Sequence, residues 1–209
     1  MDNAKIIIVS APSGCGKGTI LAKVFENSNA FYSVSCTTRA PREGEVHGKN
    51  YFFITQAEFD ERIKNNEFLE YAGFVGNSYG TLAAPVDKAV SEGRDAILEI
   101  ETNGAFQVKE KRPESVSIFI LPPSIAELDR RLHKRGTESE EKIQKRVAQA
   151  ADEIRLSPRY DYVIMNDDLD DAVRDFELVI SSVKNNDNTA DRFKALNMKK
   201  IIEEVLDNA

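Results

Sequence analysis

The sequence has few of the features that mark several common classes of protein. Its 209 residues include only two cysteines, Cys15 and Cys36, and neither belongs to a CxxC pair. We therefore expect no disulfide framework and no zinc site. No apolar run approaches the length that spans a bilayer, and charged residues stand where a signal peptide carries its apolar region. These absences predict a cytoplasmic protein with no membrane partner.

The charge balance disfavours a further class. Lys and Arg total 28 against 35 Asp and Glu, which gives a net charge of −7. Nucleic-acid-binding domains usually carry a broad basic surface, so this balance predicts no nucleic-acid partner. A small anionic ligand would instead need local basic clusters. With 41% apolar residues, the chain is long enough to form one globular domain.

Apolar runs that are typical of buried parallel strands recur along the chain, each followed by a segment with helical periodicity. They lie at residues 5–9, 96–100, 116–121 and 162–165. This alternation predicts an α/β fold with a central parallel β-sheet flanked by helices. Residues 31–81 differ, because short alternating stretches, the first at residues 31–36, indicate a small inserted lobe rich in β structure.

The second half of the chain is predicted to be largely helical. Residues 124–156 are charged and helical, with a break at Gly136 that suits a hinge. Two more helical patterns follow at residues 168–183 and 189–206. A predicted apolar stripe on the last helix packs on the same domain or, as the alternative, contacts a second copy in a homo-oligomer. The stripe residues are Phe193, Leu196, Ile201 and Val205.

A glycine-rich stretch, SAPSGCGKGTI at residues 10–20, follows the first apolar run. Glycine leaves backbone N–H groups unscreened and tolerates unusual dihedral angles, so a loop of this kind lets N–H groups converge on phosphate oxygens. The helix that starts near Lys17 adds the positive end of its dipole, and the lysine reaches the outer phosphates of a nucleoside triphosphate. The predicted triphosphate-binding residues are Ala11, Pro12, Ser13, Gly14, Cys15, Gly16, Lys17, Gly18 and Thr19.

This loop departs from the general pattern GxxxxGK[ST] at both ends. Ala11 stands where the pattern has its first glycine, and Gly18 stands where it has a hydroxyl residue. Thr19, one place later, is the candidate magnesium ligand. The alternative interpretation of the stretch is a tight strand-to-helix turn with an exposed lysine.

The stretch SVSCTTRAPREGEVHGKNYFF, which begins at Ser33, resembles the guanylate kinases. In that family the stretch contains residues that bind the phosphate of the acceptor nucleotide and some that contact its guanine. Two guanidinium forks and a phenol suit a dianionic phosphate, since the forks supply planar, permanently charged donors. The alternative is a solvated basic turn. The matching positions are Ser35, Arg39, Arg42 and Tyr51.

A second block, NNEFLEYAGFVGNSYGT at residues 65–81, also resembles the family, with Glu70, Tyr79 and Thr81 at its substrate positions. Guanine offers an N1–H and an exocyclic amine as donors, so a carboxylate is a natural reader of that edge, and Glu70 is the candidate. The hydroxyls of Ser35 and Thr81 complement it by donating to the guanine O6. The alternative role for Glu70 is a surface salt bridge.

The stretch AILEIETNGA, at residues 96–105, places Glu99 and Glu101 two apart on a predicted buried strand. Residues two apart on a strand point to the same face. The family usually has aspartate at one or both positions. The resemblance implies that one carboxylate approaches the guanine or ribose side and the other the hydrated magnesium, with the division of roles left open.

The stretch RRLHKRGTESEEKIQKR, at residues 130–146, resembles the lid of the family, with Arg131, Arg135 and Arg146 at matching positions. Phosphoryl transfer spreads negative charge over the reacting oxygens, and arginines brought in by closure stabilise it. These arginines and Lys17 are the catalytic candidates. The alternative is a solvated helix with Glu–Arg pairs. In YDYVIMNDD, Asn166 follows the last strand and is the candidate adenine contact among the ATP-binding residues.

The resemblance implies a single guanylate kinase domain over residues 1–209, with a P-loop nucleoside triphosphate hydrolase-like fold. The expected division is a core at residues 1–30, 82–130 and 157–209, a GMP-binding lobe at 31–81, and a helical lid at 131–156. The implied activity is transfer of the γ-phosphoryl group of ATP to GMP, and also to dGMP, giving ADP and GDP. Mg²⁺ is expected to accompany ATP.

Three alternatives to this activity differ in what the sequence should contain. A catalytically inactive guanylate-kinase-like module would bind peptides in the acceptor lobe, and a degenerate phosphate loop usually accompanies that role. An AMP or pyrimidine kinase is disfavoured by the guanine-reading block. A regulatory GTPase is disfavoured because neither an [NT]KxD motif nor a DxxG motif occurs.

Overall fold

The computed structural model describes residues 4–26, 28–74, 76–134 and 139–207. Helices and strands alternate along these residues, which confirms the predicted α/β class. The chain forms two compact units. Unit 1 comprises Met1–Ile8 and Asn29–Val116, and unit 2 comprises Val9–Ser28 and Ser117–Ala209.

The elements of the described residues have the following bounds. The strands are β1 (Ile6–Ser10), β2 (Phe31–Tyr32), β3 (Cys36–Thr37), β4 (Phe52–Phe53), β5 (Phe68–Phe74), β6 (Asn77–Leu82), β7 (Ala96–Glu99), β8 (Val116–Leu121) and β9 (Tyr162–Met165). The α-helices are α1 (Lys17–Glu26), α2 (Gln56–Lys64), α3 (Ala83–Ser91), α4 (Thr102–Lys111), α5 (Ile125–Lys134), α6 (Glu140–Leu156), α7 (Leu169–Asn185) and α8 (Lys199–Asp207).

The central sheet has the strand order β2-β7-β1-β8-β9. The pairs β2–β7 and β8–β9 are parallel, in agreement with the predicted parallel sheet. Every residue of β1 and of β8 is buried, as expected for apolar strands covered on both faces. The strands predicted at residues 116–121 and 162–165 have these bounds, whereas β1 and β7 differ from their predicted bounds by one residue.

A second, four-stranded sheet in unit 1 has the order β4-β3-β6-β5. Its strands enclose a small apolar cluster of Cys36, Phe59 and Phe68, in which the two phenyl rings stack with centroids 4.6 Å apart. Phe59 is supplied by α2, whose start is stabilised by a capping box between Thr55 and Glu58. This sheet confirms that β structure lies between the first strand and residue 82.

The predicted lobe stretch at residues 31–36 is divided between the two sheets. Phe31–Tyr32 pairs in parallel with β7, and the Phe31 N–H donates to the Asp95 carbonyl at 2.7 Å. Cys36 instead begins the pairing of the small sheet. The alternating pattern predicts strand correctly but cannot say which sheet edge will satisfy the backbone groups.

Helix α4 covers the edge of β5 in unit 1. The Gln107 side chain accepts a hydrogen bond from the Tyr71 N–H (3.2 Å) and donates to the Tyr71 carbonyl (3.0 Å), so it pairs as a neighbouring strand would. Lys111 Nζ donates to the Phe68 carbonyl at 2.9 Å. An open strand edge is a surface for unwanted pairing, and these contacts close it while holding β5 against the helix.

Unit 2 is rich in helices. Helix α5 buries Ile125, Leu128 and Leu132, which lie on one face at helical spacing. Helices α6 and α7 each span 17 residues. Asp168 caps the start of α7 by accepting from the N–H groups of Asp170 and Asp171. The helix α7 therefore begins directly after the loop that follows β9.

The predicted helix at residues 189–206 is wrong over its first half. A short 3-10 turn occupies Asp191–Phe193, and α8 starts only at Lys199. Lys194 forms an antiparallel bridge with Tyr162 instead. This segment pairs with β9, the edge strand of the central sheet, and the pairing uses backbone groups that a helix would need.

The apolar stripe predicted for that helix is correspondingly broken. Phe193 and Val205 are buried, and Ile201 is half-buried. Leu196 is 70% exposed, because it lies in the non-helical segment before α8. The prediction is therefore wrong at Leu196.

The break predicted at Gly136 lies outside the described residues, as does the lid residue Arg135. Within the described part of the chain, no helix is both long enough and apolar enough to span a membrane.

Candidate active site

The glycine-rich stretch forms a loop between β1 and α1 in unit 2. Gly14 has φ +94° and Gly16 has φ +85°, a region that residues with a Cβ rarely adopt. The Cys15 N–H closes a turn onto the Pro12 carbonyl at 3.1 Å. Lys17 is the first residue of α1, so it lies at the positive end of the helix dipole. This is the strand, loop and helix arrangement predicted for phosphate binding.

Three contacts within unit 2 hold this loop. The Cys15 thiol donates to the Ile120 carbonyl at 3.5 Å, and the Cys15 carbonyl accepts from Asn166 Nδ2 at 2.7 Å. A Cβ on Gly14 would lie 2.9 Å from the Leu132 side chain, so the loop packs closely on α5. Burial raises the pKa of the Cys15 thiol to about 12, so the residue is an uncharged packing group.

The remaining predicted residues of the loop differ in exposure. Pro12 is buried, Ala11 is half-buried, and Ser13, Gly18 and Thr19 are exposed. Ser13 Oγ accepts a hydrogen bond from Nη1 of Arg146 at 3.2 Å. Unit 2 therefore brings this predicted lid arginine to the phosphate loop.

Arg131 is held on α5 by a partner that the sequence analysis missed. Glu127 Oε1 accepts from Arg131 Nε at 2.8 Å, and Arg131 Nη1 donates to the Asn166 carbonyl at 3.2 Å. Glu127 also forms a two-bond pair with Arg130. Hydrogen bonds from Arg130 and Arg131 lower the pKa of Glu127 to about 2. The spacing of four residues between Glu127 and Arg131 was the available signal.

In unit 1, Arg39 forms a two-bond ion pair with Glu45, with N–O distances of 2.8 and 2.9 Å. Its guanidinium lies over the Tyr51 ring, 5.5 Å from the centroid. Glu45 also accepts from the Arg42 N–H at 2.7 Å. The hydrogen bonds from Arg39 and Arg42 lower the pKa of Glu45. Glu45 is a second residue that the sequence analysis missed, although it lies three positions after Arg42.

The other predicted acceptor residues surround this pair within the lobe. The Tyr79 ring lies 6.0 Å from the Tyr51 ring, centroid to centroid. Ser35 is half-buried, and its carbonyl accepts from the Phe52 N–H at 2.9 Å. Arg42 is exposed. The small sheet thus brings Arg39, Tyr51 and Tyr79 into one cluster.

Glu70 is a buried carboxylate, only 6% exposed. Thr81 Oγ1 donates to its Oε1 at 2.6 Å. A Cβ on Gly104 would lie 2.6 Å from its Oε2, so the glycine on α4 leaves room for the carboxylate. Burial is the largest influence on the Glu70 carboxyl and raises its pKa, while the Thr81 hydrogen bond opposes the change. Thr81 contributes a hydroxyl and a backbone hydrogen bond to this carboxylate. A carboxylate has about four acceptor sites, so it retains capacity to accept donors from a ligand.

The carboxylates at Glu99 and Glu101 do not share a strand face. Strand β7 ends at Glu99, and Glu101 is the N-cap residue of α4, where it is exposed. The period of two applies only within a strand, so the argument from strand spacing is wrong for this pair. The negative charge of Glu101 nevertheless reaches the carboxyl of Glu70 and adds to the rise in its pKa.

Comparison with known proteins agrees with this geometry. A family model described as guanylate kinase matches residues 3–183. A guanylate kinase of Thermus thermophilus is 51% identical over 178 residues, which cover 85% of this chain and 81% of the relative. A guanylate kinase of Carboxydothermus hydrogenoformans is 50% identical over 185 residues, 88% of this chain and 91% of the relative.

A solved structure is also similar. The crystal structure of guanylate kinase from Anaplasma phagocytophilum has 37% sequence identity and a TM-score of 0.67, and the match covers 88% of this chain and 85% of that one. The agreement of family, relatives and fold supports the resemblance seen in the sequence blocks. The chain belongs to the guanylate kinase family.

Proposed function

We propose that this protein transfers the γ-phosphoryl group of ATP to GMP, giving ADP and GDP, and also to dGMP, giving ADP and dGDP. The observation that carries the proposal is the buried pair of Glu70 and Thr81, whose hydrogen bond measures 2.6 Å. Hydrogen bonds from Thr81 occupy only part of the acceptor capacity of this carboxylate, so it can also accept from the N1–H and amine of guanine.

The phosphate of GMP would bind at the arginine cluster of the lobe. The ion pair with Glu45 holds the Arg39 guanidinium over the Tyr51 ring, so its orientation is set before the ligand arrives. Arg42 lies exposed beside it and is available for a charged ligand. Forked guanidinium donors match the oxygens of a phosphate group and remain charged at every working pH.

The triphosphate of ATP would bind to the loop of unit 2. Gly14 and Gly16 have the backbone angles that let N–H groups converge, and Lys17 opens the helix that follows. Arg131 and Arg146 would neutralise the charge that develops on the transferred group. Tightly oriented groups of this kind accelerate transfer mainly through alignment and electrostatic stabilisation.

No general base is required for this reaction, because the acceptor phosphate is already ionised near neutral pH. The two histidines of the sequence are not placed for that role. His133 is bonded to the Asp129 carbonyl and to Glu140, and the His47 ring packs at 5.6 Å from the Phe52 ring. Neither histidine has a hydroxyl or thiol nucleophile among these contacts.

The residues present are compatible with Mg²⁺ bound together with ATP. The described residues contain no group of three His, Cys, Asp or Glu side chains arranged to hold a metal. In phosphoryl-transfer enzymes, Mg²⁺ is commonly held by one or two protein groups together with phosphates and water. Thr19 offers an exposed hydroxyl in the first turn of α1. When bound, the ion would supply positive charge to the phosphate oxygens.

We further propose the division of labour implied by the family resemblance. Residues 31–81 would hold GMP, residues 131–156 would act as the lid, and residues 1–30, 82–130 and 157–209 would form the core. A cytoplasmic location is part of this proposal, because the reaction consumes ATP and GMP. Fractionation of the source cells, followed by a GMP-dependent kinase assay, would test the location.

One coupled assay tests the activity. Purified protein with ATP and Mg²⁺ should phosphorylate GMP rapidly, IMP more slowly because it lacks the exocyclic amine, and AMP and UMP hardly at all. Rapid phosphorylation of AMP without GMP would reject the proposed specificity. Peptide binding without turnover of any nucleotide would support the inactive module instead.

A further inference from the structure

Asn166 occupies a central position in unit 2. It follows directly after β9, and its N–H donates to the Leu121 carbonyl at 2.8 Å, which extends the sheet pairing by one residue. The residue is only 5% exposed. The sheet therefore fixes the backbone of Asn166, and this limits the positions that its side chain can adopt.

The side chain of Asn166 holds one peptide plane of the phosphate loop. Its Nδ2 donates to the Cys15 carbonyl at 2.7 Å. In a trans peptide the carbonyl and the following N–H point in opposite directions. Anchoring the Cys15 carbonyl therefore orients the N–H of Gly16 away from Asn166. The orientation of each amide decides which N–H groups face a bound anion, so this hydrogen bond affects how the loop binds an anion.

Gly16 is adapted to this contact. A Cβ built on Gly16 would lie only 2.5 Å from Asn166 Nδ2. A side chain at residue 16 would thus displace the amide as well as strain a backbone at φ +85°. The close approach shows that Gly16 and the Asn166 side chain pack directly against each other, with no room for a Cβ between them.

The main chain of Asn166 holds a second component of the site. Its carbonyl accepts from Arg131 Nη1 at 3.2 Å, while Glu127 accepts from Arg131 Nε at 2.8 Å. One residue thereby links the phosphate loop with the arginine on α5. Both contacts come from a residue whose position is fixed by β8 through the Leu121 carbonyl.

We propose that Asn166 is a positioning residue for triphosphate binding, which acts through the Cys15 peptide and does not read the adenine base. This inference rests on the proposed function, because it assumes that the loop grips the phosphates of ATP. It predicts that loss of the side-chain donor weakens the binding of every triphosphate by the same factor, whatever base the ligand carries.

The test uses Asn166→Asp, which keeps the shape but places a carboxylate against a carbonyl, and Asn166→Ala, which removes the donor without adding charge. Asn197→Asp is the matched control, since the Asn197 amide also donates to a backbone carbonyl of unit 2, that of Asp191, at 2.6 Å. Calorimetry would measure the binding of ATP, ITP and inorganic triphosphate, with GMP binding and thermal unfolding as checks on the fold.

We expect both Asn166 variants to bind all three triphosphates about tenfold to a hundredfold more weakly, the effect of an unsatisfied buried group. The ratio of ATP to ITP affinity should stay at its wild-type value, GMP binding should persist, and Asn197→Asp should behave as wild type. Selective loss of ATP with unchanged ITP and inorganic triphosphate would overturn the proposal in favour of a base contact.

Unchanged binding of all three ligands by the Ala variant would also overturn the proposal. If Asn166→Asp fails to fold, the Ala variant decides, because it leaves no unpaired charge. Failure of the wild-type protein to bind ATP and inorganic triphosphate would reject the proposed function itself, an outcome distinct from any difference between wild type and the Asn166 variants.

Discussion

The phosphate loop and the arginine cluster of unit 1 are both suited to bind phosphate, but they are built from different atoms. The loop at residues 11–16 presents backbone N–H groups, which are oriented by packing on Leu132 and by hydrogen bonds at Cys15. The cluster presents side chains, with the guanidinium of Arg39 oriented by the carboxylate of Glu45. The first site depends mainly on main-chain groups, with Lys17 at the start of α1 as its adjoining charged side chain, and the second depends on side chains.

This difference predicts opposite sensitivities to substitution. A backbone site is damaged when atoms are added, because a Cβ changes the allowed dihedral angles and collides with the packing that orients the amides. A side-chain site is damaged when atoms are removed, because the partners that remain lose their orientation or are left unpaired.

The largest effect is expected for Lys17→Ala, since Lys17 is the one charged side chain that the stretch at residues 10–20 contributes. Removing a charge that stabilises the transferred group should lower kcat about a hundredfold to a thousandfold. Arg42→Ala, in the other site, should instead raise the KM for GMP by about tenfold with a smaller change in kcat. Steady-state kinetics with both substrates varied would measure the two effects.

A Lys17 variant that changed only the KM for GMP would contradict this division of roles. The same conclusion would follow if both variants retained wild-type kinetics.

Gly16→Ala tests the sensitivity of the backbone site to an added methyl group. Its Cβ would lie 2.5 Å from Asn166 Nδ2, on a backbone with φ +85°. We expect kcat/KM for ATP to fall about a hundredfold, since such strain costs about 1–3 kcal/mol even before the amide moves. Gly73→Ala is the matched control, because a Cβ there meets nothing within 4 Å. Equal kinetics for both variants would refute the argument.

Glu70→Gln tests the side-chain site by removing one charge and keeping the shape. Loss of the carboxylate should raise the KM for GMP about tenfold to a hundredfold, while the KM for ATP stays near its wild-type value. The buried charge also has a cost in stability. Since the folded-state pKa of Glu70 is raised, the contribution of this group to stability falls as pH rises from the ordinary glutamate range through the folded-state pKa.

The Gln variant lacks this loss, so its melting temperature relative to wild type should increase across the same pH range. Thermal unfolding at several pH values would measure the difference. A constant difference at all pH values, or a variant with unchanged GMP kinetics, would contradict the assigned role of Glu70.

The smallest effect concerns a surface contact outside both sites. His133 on α5 bonds to Glu140 at the start of α6, and this bond, together with the Asp129 carbonyl, raises the pKa of His133. Glu140→Gln should lower that pKa toward the ordinary histidine value, as NMR titration would show. Glu141→Gln is the control, since Glu141 pairs with Lys145. Equal shifts in both variants would exclude the proposed contact.

The sign of the stability effect at His133 follows from the raised pKa. The contact contributes below the pKa of the unfolded chain and is lost as pH rises through the folded-state value. Both partners are well exposed, with side-chain accessibilities of 42% and 65%, so solvent screening keeps the contribution small.

Parts of the fold were accessible from sequence because they depend on local pattern. The apolar runs at residues 116–121 and 162–165 became β8 and β9 with the predicted bounds. The segment after Asp168 became α7, which begins at a side-chain cap that the sequence already contains. In these cases burial and capping chemistry act over a few residues.

Other parts depended on partners that are distant in sequence. Residues 194–195 pair with the first residue of β9 and with Asp161, which prevents the helix that their pattern favours. Glu101 falls outside β7 because α4 begins at Thr102. Phe31–Tyr32 joins the central sheet, where it pairs in parallel with β7. Short patterns do not specify which of several edges a strand will join.

The amino-acid order was sufficient to indicate the phosphate loop, the carboxylate proposed to read guanine and the resemblance to the family, because these features are recognisable from residue types and their spacing. Only the folded chain revealed the partners that orient those groups: Glu45 for Arg39, Glu127 for Arg131, and Asn166 for the Cys15 peptide. The physical reason is directional. A hydrogen bond needs its two atoms about 3 Å apart and well aligned, and for Asn166 and Cys15, 151 residues apart, tertiary packing alone provides that geometry.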